Sequence, residues 1–308
     1  MKKSMCMAVA LAGAVLFALP CVAQDIYTGG TPACEELGWR VGCQAYSFNR
    51  FTFFEAVDKV AQMGLKWIEA YPGQRLSKDL PEDVKLEHTM SAEHQKLALD
   101  YLKSKGVTLV NYGVVGIDSD EAGARKIFDF AKAMGIETIV SEPPKAAFPM
   151  LDKLTQEYNI NIAIHNHPKP SLYWNYKKVL EVTEGLNPRI GACADTGHWM
   201  RSGIESLEAV KALLAAKRII SFHFKDLNEM SREAHDVPWG TGVTKIKDIC
   251  QAMKDAGWKG TLSAEYEWNW DNSVPEISKA MQNLNDIVID LGNFETKLPT
   301  GPTGDTKP

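Results

Sequence analysis

Residues 160–168 read INIAIHNHP and residues 190–199 read IGACADTGHW. Each stretch begins as a short apolar run, which is typical of a strand buried on both faces, and ends in imidazole or carboxylate side chains. The same form recurs in residues 219–226, IISFHFKD, and in residues 261–267, TLSAEYE. Because active-site groups collect at the carboxyl ends of parallel strands, these side chains are expected to lie together. The second half of the chain therefore predicts a polar site built on parallel strands.

The alternation of strands and helices extends along the whole chain. Eight apolar or β-branched runs alternate with eight helical patterns over about 250 residues, which predicts a single-domain α/β fold, the closed (β/α)8 TIM barrel. A doubly wound open sheet would normally carry a glycine-rich nucleotide-binding turn after an early strand, and the sequence has none. The predicted strands are Val41–Phe48, Trp67–Ala70, Thr108–Val115, Thr138–Val140, Ile160–Ile164, Ile190–Ala194, Ile219–Phe224 and Thr261–Ala264, and the predicted helices are Phe53–Met63, Ala92–Ser104, Glu121–Met134, Pro149–Tyr158, Lys177–Glu184, Ser206–Ala216, Lys245–Asp255 and Val274–Leu291.

The two ends of the chain predict segments outside the barrel. Lys2 and Lys3 precede an apolar stretch that ends in small residues before Gln24, which is the form of a secretory signal peptide. The stretch is short for a membrane span, and lipid attachment at Cys21 is the weaker alternative. We therefore expect export to the periplasm or the extracellular space. The predicted segments are a signal peptide over 1–23, an N-terminal extension over 24–38, the catalytic barrel over 39–294 and a disordered tail over 295–308.

Composition limits the partners of the protein. A formal net charge of -5 and a pI near 5.9 give no electrostatic basis for binding nucleic acid. We expect no stable membrane insertion and a small-molecule partner, with a homo-oligomer left open. Removal of the signal peptide leaves four cysteines, which permit three full disulfide pairings. Cys43 and Cys193 lie in predicted strands, where buried free thiols are expected.

The donors at the strand ends predict a metal-dependent enzyme. Imidazole nitrogens and carboxylate oxygens that converge on one site are ligands of hard and borderline divalent metals. We therefore expect one divalent metal ion as cofactor, and the sequence does not distinguish Mn, Mg, Zn and Co.

These strand ends resemble those of the xylose-isomerase-like TIM-barrel superfamily, which includes sugar phosphate isomerases and epimerases and relatives of AP-endonuclease family 2. The resemblance covers the mature barrel and is carried mostly by its second half. It implies that Asp195 in ADTGHW, His223 in SFHFKD and Glu265 in LSAEYE ligate the metal. Residues 235–242, HDVPWGTG, are similar to the family's substrate-side loop.

One position departs from the family pattern. Sugar epimerases of the family carry a glutamate at the end of the fifth strand, where this chain has His165 and His167. The fourth ligand is then Glu142, at the end of the fourth predicted strand, or one of the two histidines. We predict that both histidines can point inward and that His165 or His167 transfers a proton, opposite Glu265 or Lys225. Lys225 is alternatively predicted to stabilise an enolate oxygen.

Other polar and aromatic side chains near the strand ends are predicted to bind substrate. Histidines can hydrogen-bond hydroxyl groups, and aromatic rings stack on the faces of sugars. His88 and His94 precede or begin a polar helix and are interpreted as surface residues. The predicted substrate-binding residues are Glu69, Tyr112, His198, Trp199 and His235.

The resemblance and the residues together predict a sugar isomerase or epimerase. It would act on a keto-sugar or a cyclitol by removing a proton alpha to a carbonyl, with a metal-stabilised enediolate. The main alternative is a lyase or dehydratase that uses the same enolate for β-elimination on a keto-sugar or 3-keto-glycoside. Export favours it slightly, because sugar phosphates are not normally found outside the cytoplasm. An alternative of another class is a non-catalytic periplasmic sugar-binding barrel.

The predicted signal peptide has a direct test. We expect the exported protein to begin at Gln24, because cleavage follows the small residues of the recognition site. Intact-mass measurement of the exported protein checks this. A protein that retains Met1 and stays in the cytoplasm would contradict the prediction.

Overall fold

The computed structural model describes residues 25–292. Over this range eight parallel strands pair in chain order and close into a barrel, which confirms the predicted (β/α)8 TIM barrel. The first strand pairs with the last, with Trp39 opposite Gly260. The predicted signal peptide over 1–23 and the predicted tail over 295–308 lie outside the described residues.

The strands of the barrel are short and almost entirely buried. Their interiors are rich in small and β-branched residues, which pack well where both faces are covered. The imidazole and carboxylate side chains predicted for the site lie near the carboxyl ends of the strands or just beyond them. The barrel strands are β1 Trp39–Gln44, β2 Trp67–Ala70, β3 Thr108–Tyr112, β4 Thr138–Ser141, β5 Asn161–His165, β6 Ile190–Asp195, β7 Ile219–Phe224 and β8 Gly260–Ala264.

The helices form the outer layer and begin and end at local signals. Thr52 and Glu55 form a reciprocal capping box at the start of one helix, and left-handed Gly106 and Gly135 end two others. The helices are α1 Pro32–Glu36, α2 Phe53–Gln62, α3 Ala92–Lys105, α4 Glu121–Met134, α5 Phe148–Tyr158, α6 Tyr176–Thr183, α7 Thr196–Arg201, α8 Ser206–Ala215, α9 Ile246–Asp255 and α10 Val274–Gly292.

The first strand is shorter than predicted. The predicted strand Val41–Phe48 ends at Gln44, and Ala45–Phe48 forms a 3-10 turn instead. The cause is local, because the side chain of Gln44 accepts a hydrogen bond from the backbone N–H of Tyr46 at 2.9 Å and caps the turn. This turn places Tyr46 at the mouth of the barrel.

The predicted N-terminal extension packs against the last helix over its described residues. The backbone N–H of Ala33 donates to Asn285 Oδ1 at 3.0 Å, and that of Tyr27 donates to Ser278 Oγ at 3.2 Å. The four cysteines at positions 34, 43, 193 and 250 are free and buried, as expected for Cys43 and Cys193. Within residues 25–292 no helix has the length and apolar character needed to span a bilayer.

A close approach between β1 and β2 gives a test of the barrel packing. A Cβ atom on Gly42 would lie 2.2 Å from the backbone oxygen of Trp67, whereas one on Gly116 would meet no atom within 4 Å. We expect Gly42→Ala to lower the free energy of unfolding by about 1–3 kcal/mol, the usual cost of overpacking, and Gly116→Ala to have a much smaller effect. Urea denaturation measures both, and equal stability of the two variants would contradict this packing.

Candidate active site

Asp195 connects the barrel to the short helix α7. Its Oδ1 accepts the backbone N–H of His198 at 2.6 Å, so the carboxylate caps α7 and is fixed in orientation. The other oxygen, Oδ2, faces the barrel mouth, 2.8 Å from Lys225 Nζ and 3.5 Å from His165 Nε2. One side chain thus ends β6, starts α7 and presents an oxygen to the site.

Two pairs of hydrogen bonds between side chains and backbone connect β5 to β6 and β6 to β7 at this end of the barrel. Asn166 donates to the backbone oxygen of Asp195 at 3.0 Å and accepts from its backbone N–H at 2.9 Å. Thr196 Oγ1 lies 2.8 Å from both the backbone N–H and the backbone oxygen of Lys225. The side chains thus satisfy backbone N–H and C=O groups of Asp195, the last residue of β6, and of Lys225, which follows β7. These hydrogen bonds support the site.

Lys225 is a fully buried cation among three carboxylates. Its Nζ lies 2.8 Å from Asp195, 2.7 Å from Glu265 and 3.0 Å from Glu267. Burial alone would lower the pKa of Lys225, but these carboxylates raise it well above its usual value. Arg201, from α7, extends the network by ion pairs to Glu267 and to Asp236. Lys225 is therefore charged and fully engaged by the protein.

His223 is oriented by a buried carboxylate. Glu69 is fully buried, and its oxygens lie 2.7 Å from His223 Nε2, 2.7 Å from Ser263 Oγ and 3.1 Å from Asn111 Nδ2. If Nε2 donates to Glu69, the ring proton is on Nε2 and Nδ1 carries the free lone pair. His223 Nδ1 lies 3.1 Å from Glu265 Oε2, but its geometry forms no hydrogen bond with any of the described residues.

His165 and His167 share Glu142 but face different surroundings. Glu142 Oε1 lies 2.5 Å from His167 Nδ1, 3.0 Å from the backbone nitrogen of His167 and 3.3 Å from His165 Nδ1. Burial would raise the pKa of Glu142, but hydrogen bonds from the two histidines hold it far below its usual value. His165 is fully buried, whereas the side chain of His167 is 49% exposed.

Buried nitrogen and oxygen atoms of this cluster are positioned to ligate a divalent metal. His165 Nε2, like His223 Nδ1, is buried without a hydrogen-bond partner among residues 25–292. The two imidazole rings are 4.7 Å apart and adjoin the oxygens of Asp195 and Glu265. Two imidazoles, once deprotonated at these nitrogens, and two carboxylates form a donor set typical of such a metal. The residues present therefore fit the cofactor.

His198 belongs to the same cluster but is less suited to ligate. Ligand atoms of His165, Asp195, His198 and Glu265 lie within 4.8 Å of one another. Burial lowers the pKa of His198 to about 3, so its ring is neutral. Arg201 Nη1 lies 3.2 Å from His198 Nδ1, which must accept this bond, so the ring proton stays on Nε2. His198 can then donate a hydrogen bond from Nε2, as its predicted contact with substrate requires.

A cleft of about 380 Å³ opens above this cluster. Carboxylates of Glu265 and Glu267 border one side and His167 another. Tyr46, Tyr71 and Pro72 border the cleft near the ends of β1 and β2. The lining residues are Gln44, Tyr46, Tyr71, Pro72, Gly113, Val114, His167, Glu265 and Glu267.

With this geometry established, comparison with known proteins assigns the family. The model of the family described as xylose isomerase-like TIM barrel matches residues 57–287, most of the barrel. The chain belongs to this family. Among curated proteins, no sequence matches it.

Several solved structures share the fold. An uncharacterized protein from Parabacteroides distasonis is 29% identical, with a TM-score of 0.66 over 81% of this chain and 99% of that one. A D-allulose 3-epimerase from Methylomonas sp. is 16% identical, with a TM-score of 0.63 over 81% and 98%. The probable 3-DHS dehydratase AsbF from Bacillus anthracis, involved in petrobactin synthesis, is 14% identical, with a TM-score of 0.61 over 79% and 98%. Isomerising and dehydrating enzymes thus occur on this fold.

Both predicted candidates for the fourth metal ligand, Glu142 and a strand-five histidine, lie at the site. Ligand atoms of Glu142, His165 and His167 lie within 4.8 Å of one another, which suits a metal, and His165 also lies beside Asp195. One prediction about the histidines needs correction. His165 and His167 were predicted to point inward together, yet only His165 does. The strand ends at His165, so the alternation of side chains stops there and His167 turns to the cleft.

Three residues that were predicted to contact substrate are instead buried within the protein. Glu69 lies inside the barrel and has protein partners on both oxygens. Tyr112 is buried, and its hydroxyl lies 3.2 Å from His88 Nδ1. His88, predicted to be a surface residue, is half-buried. Trp199 is fully buried in the hydrophobic core. His235 remains a candidate, because it stacks on the exposed Trp268 with the rings 4.4 Å apart.

Sequence reasoning missed several residues of the site. Glu267 follows Glu265 by two positions, a spacing that in an extended chain puts both on one side and could have indicated it. Arg201 follows His198 by three positions on α7, which was not predicted because it begins directly at the end of a strand. Gln44 was missed because the first strand was predicted to continue to Phe48.

The buried ammonium of Lys225 gives a test of the cluster. We expect Lys225→Met, without metal, to lower the free energy of unfolding by about 3–5 kcal/mol, because the carboxylates lose their buried counterion. Added Mn²⁺ should restore part of the loss by binding only the folded state. Urea unfolding with and without Mn²⁺ measures both effects.

A surface lysine provides the matched control. Lys178 pairs with Glu181 at 2.8 Å with about half of its side chain exposed, so Lys178→Met should change stability by less than about 1 kcal/mol and respond no differently from wild type to Mn²⁺. Wild-type stability of Lys225→Met in the presence of a chelator would contradict the role given to the ammonium.

Proposed function

We propose that this protein is a divalent-metal-dependent isomerase or epimerase that removes and returns a proton next to a carbonyl of a carbohydrate or cyclitol. The observation that carries the proposal is the pair of buried, unpartnered imidazole nitrogens, His165 Nε2 and His223 Nδ1, beside Asp195 and Glu265 below an open cleft. Buried polar atoms are normally satisfied, and those left unpaired call for a ligand.

The proposed metal ligands are His165, Asp195, His223 and Glu265. When bound there, a divalent ion would polarise a carbonyl or a pair of substrate oxygens and stabilise negative charge that develops on them. Glu142 and Glu69 would then act as positioning residues, because each accepts a hydrogen bond from a ligating histidine and fixes its tautomer.

His167 is the proposed proton carrier on the β5 side of the cleft. Its Nδ1 is bound to Glu142, so Nε2 is the free nitrogen of an imidazole that lines the cleft. A carboxylate that holds one ring nitrogen favours proton uptake at the other, as in other histidine–carboxylate pairs. His167 therefore can accept a proton from a substrate carbon and return it.

The β8 side offers carboxylates as the second group. Glu265 and Glu267 both line the cleft. Burial would raise the pKa of Glu267, but Lys225 and Arg201 lower it, which keeps the group ionised and able to accept a proton. Lys225 itself holds these carboxylates in place, and its three ion pairs leave it less suited to the proton transfer predicted from sequence.

A lyase is the second candidate, and the unlike groups on the two sides favour it. An epimerase uses two similar bases in turn, whereas elimination needs one group to remove a proton and a different one to protonate the leaving oxygen. A histidine facing two carboxylates suits that division. Both reactions begin with removal of a proton next to a carbonyl, and a bound divalent ion would polarise that carbonyl in either case.

Deuterium exchange tests for either enzyme. Protein loaded with Mn²⁺ or Mg²⁺ in D₂O is incubated with keto-sugars, 3-keto-glycosides and cyclitol ketones, and NMR follows the substrate carbons. We expect deuterium at a carbon next to the carbonyl, with an epimer or isomer as product, or an unsaturated product if the reaction is elimination. The absence of exchange in every substrate that binds would contradict both candidates and favour a non-catalytic sugar-binding barrel.

The two histidines of β5 should separate cleanly by mutation. We expect His167→Gln to keep the metal and to lose turnover by about 10²–10⁴-fold, the usual contribution of a positioned acid–base group. We expect His165→Gln to lose metal and activity together, because a ligand is removed. Elemental analysis and the exchange rate measure the two effects.

A third histidine gives the control for this pair. His94, on α3 and away from the cleft, should tolerate glutamine with unchanged metal content and rate. Full metal content and full turnover in His167→Gln and His165→Gln would mean that the pair is structural.

A further inference from the structure

The cleft has an aromatic wall opposite its polar side. Tyr46 and Tyr71 both line the cleft, with their rings 5.2 Å apart in an edge-to-face arrangement. Trp270 packs on the other side of Tyr46, with ring centres 5.7 Å apart. These three residues, named here the aromatic wall, come from the ends of β1, β2 and β8 and lie on the side of the mouth away from β5.

The aromatic wall reaches from the cleft to solvent. Tyr46 is 39% exposed although it lies at the entrance of a buried cluster. Burial, followed by the proximity of Tyr46, raises the pKa of Tyr71 to about 12, so its phenol is neutral and can donate a hydrogen bond. The loop that carries Trp270 also carries the exposed Trp268, which stacks on His235. Exposed aromatic rings beside a polar cleft provide apolar faces that sugar rings can cover.

Within residues 25–292, the lining of the cleft offers no lysine or arginine that could pair with a phosphate, and two of its residues are glutamates. The neighbouring cations are already engaged: Lys225 Nζ contacts three carboxylates, and Arg201 pairs with Glu267 and Asp236. A phosphate dianion would therefore find no free cation there and would face two carboxylates, whereas a neutral sugar could donate hydrogen bonds from its hydroxyl groups to them.

From these features we infer that the substrate is an uncharged glycoside of at least two rings, with the carbonyl-bearing, reacting ring above the His165–Asp195–His223–Glu265 cluster and the second ring on the aromatic wall. The inference rests on the proposed function and names its substrate class. The volume of the cleft, about 380 Å³, falls in the range of sites that enclose a ligand larger than a few atoms, and its open side at Tyr46 lets a second ring extend outward.

Binding measurements test the inference without requiring turnover. The mature protein is titrated by calorimetry, with and without Mn²⁺, with methyl β-D-glucoside, cellobiose, maltose, lactose and glucose 6-phosphate. We expect at least one two-ring glycoside to bind about 2–10-fold more tightly than methyl glucoside, the contribution of one aromatic contact. We expect glucose 6-phosphate to bind most weakly.

Variants of the aromatic wall identify the source of this preference. Trp270→Ala and Tyr46→Ala should each reduce the advantage of the two-ring glycoside to about that of the one-ring sugar, with circular dichroism confirming that each variant is folded. Trp174→Ala is the matched control, because Trp174 is partly buried beneath Lys169 and does not line the cleft. It should keep the full preference.

The outcomes separate this inference from the proposed function. A preference for the two-ring glycoside that is lost in the wall variants supports the inference, whatever the exchange experiment shows. Equal or undetectable binding of all the two-ring glycosides, tighter binding of glucose 6-phosphate, or a preference that survives in both wall variants overturns it. Deuterium exchange on one-ring keto-sugars with no such preference would leave the proposed reaction in place and remove only the second ring.

Discussion

The buried charge at the mouth of the barrel is the constraint on which the rest of the site depends. Six carboxylates gather there with only two fixed cations, Lys225 and Arg201; the carboxylates are Glu69, Glu142, Asp195, Asp236, Glu265 and Glu267. In surroundings of low polarity such an excess of negative charge is costly unless it is balanced. Histidines and, in our proposal, a divalent ion supply the balance.

The same constraint divides the carboxylates into two kinds. Glu69 and Glu142 each contact an imidazole nitrogen and thereby decide which nitrogen of His223 and His165 remains free. Asp195 and Glu265 face the two free nitrogens and would complete the ligand set. His165 therefore supplies a nitrogen ligand at the end of β5, with Glu142, which follows β4, supplying the carboxylate behind it.

The barrel could be predicted from sequence because the alternation of apolar strands and amphipathic helices repeats eight times. The same repetition located the strand ends and, with them, several residues of the site. What sequence could not give is set by contacts between distant segments. Parity along β5 made His165 and His167 equivalent, but the end of the strand at His165 separates them. The burial of Glu69 depends on partners more than 40 positions away in the sequence, namely Asn111, Ser263 and His223. No local sequence pattern predicts these contacts.

The central claim is that His165, Asp195, His223 and Glu265 hold one divalent ion beside the ammonium of Lys225. Crystals grown with Mn²⁺ test it most directly through anomalous scattering at the manganese edge. The account predicts a single strong peak within about 2.0–2.3 Å of His165 Nε2, His223 Nδ1 and one oxygen each of Asp195 and Glu265. A map without a peak there, with Lys225 still bound to both carboxylates, or a peak confined to Glu142 and His167, would contradict it.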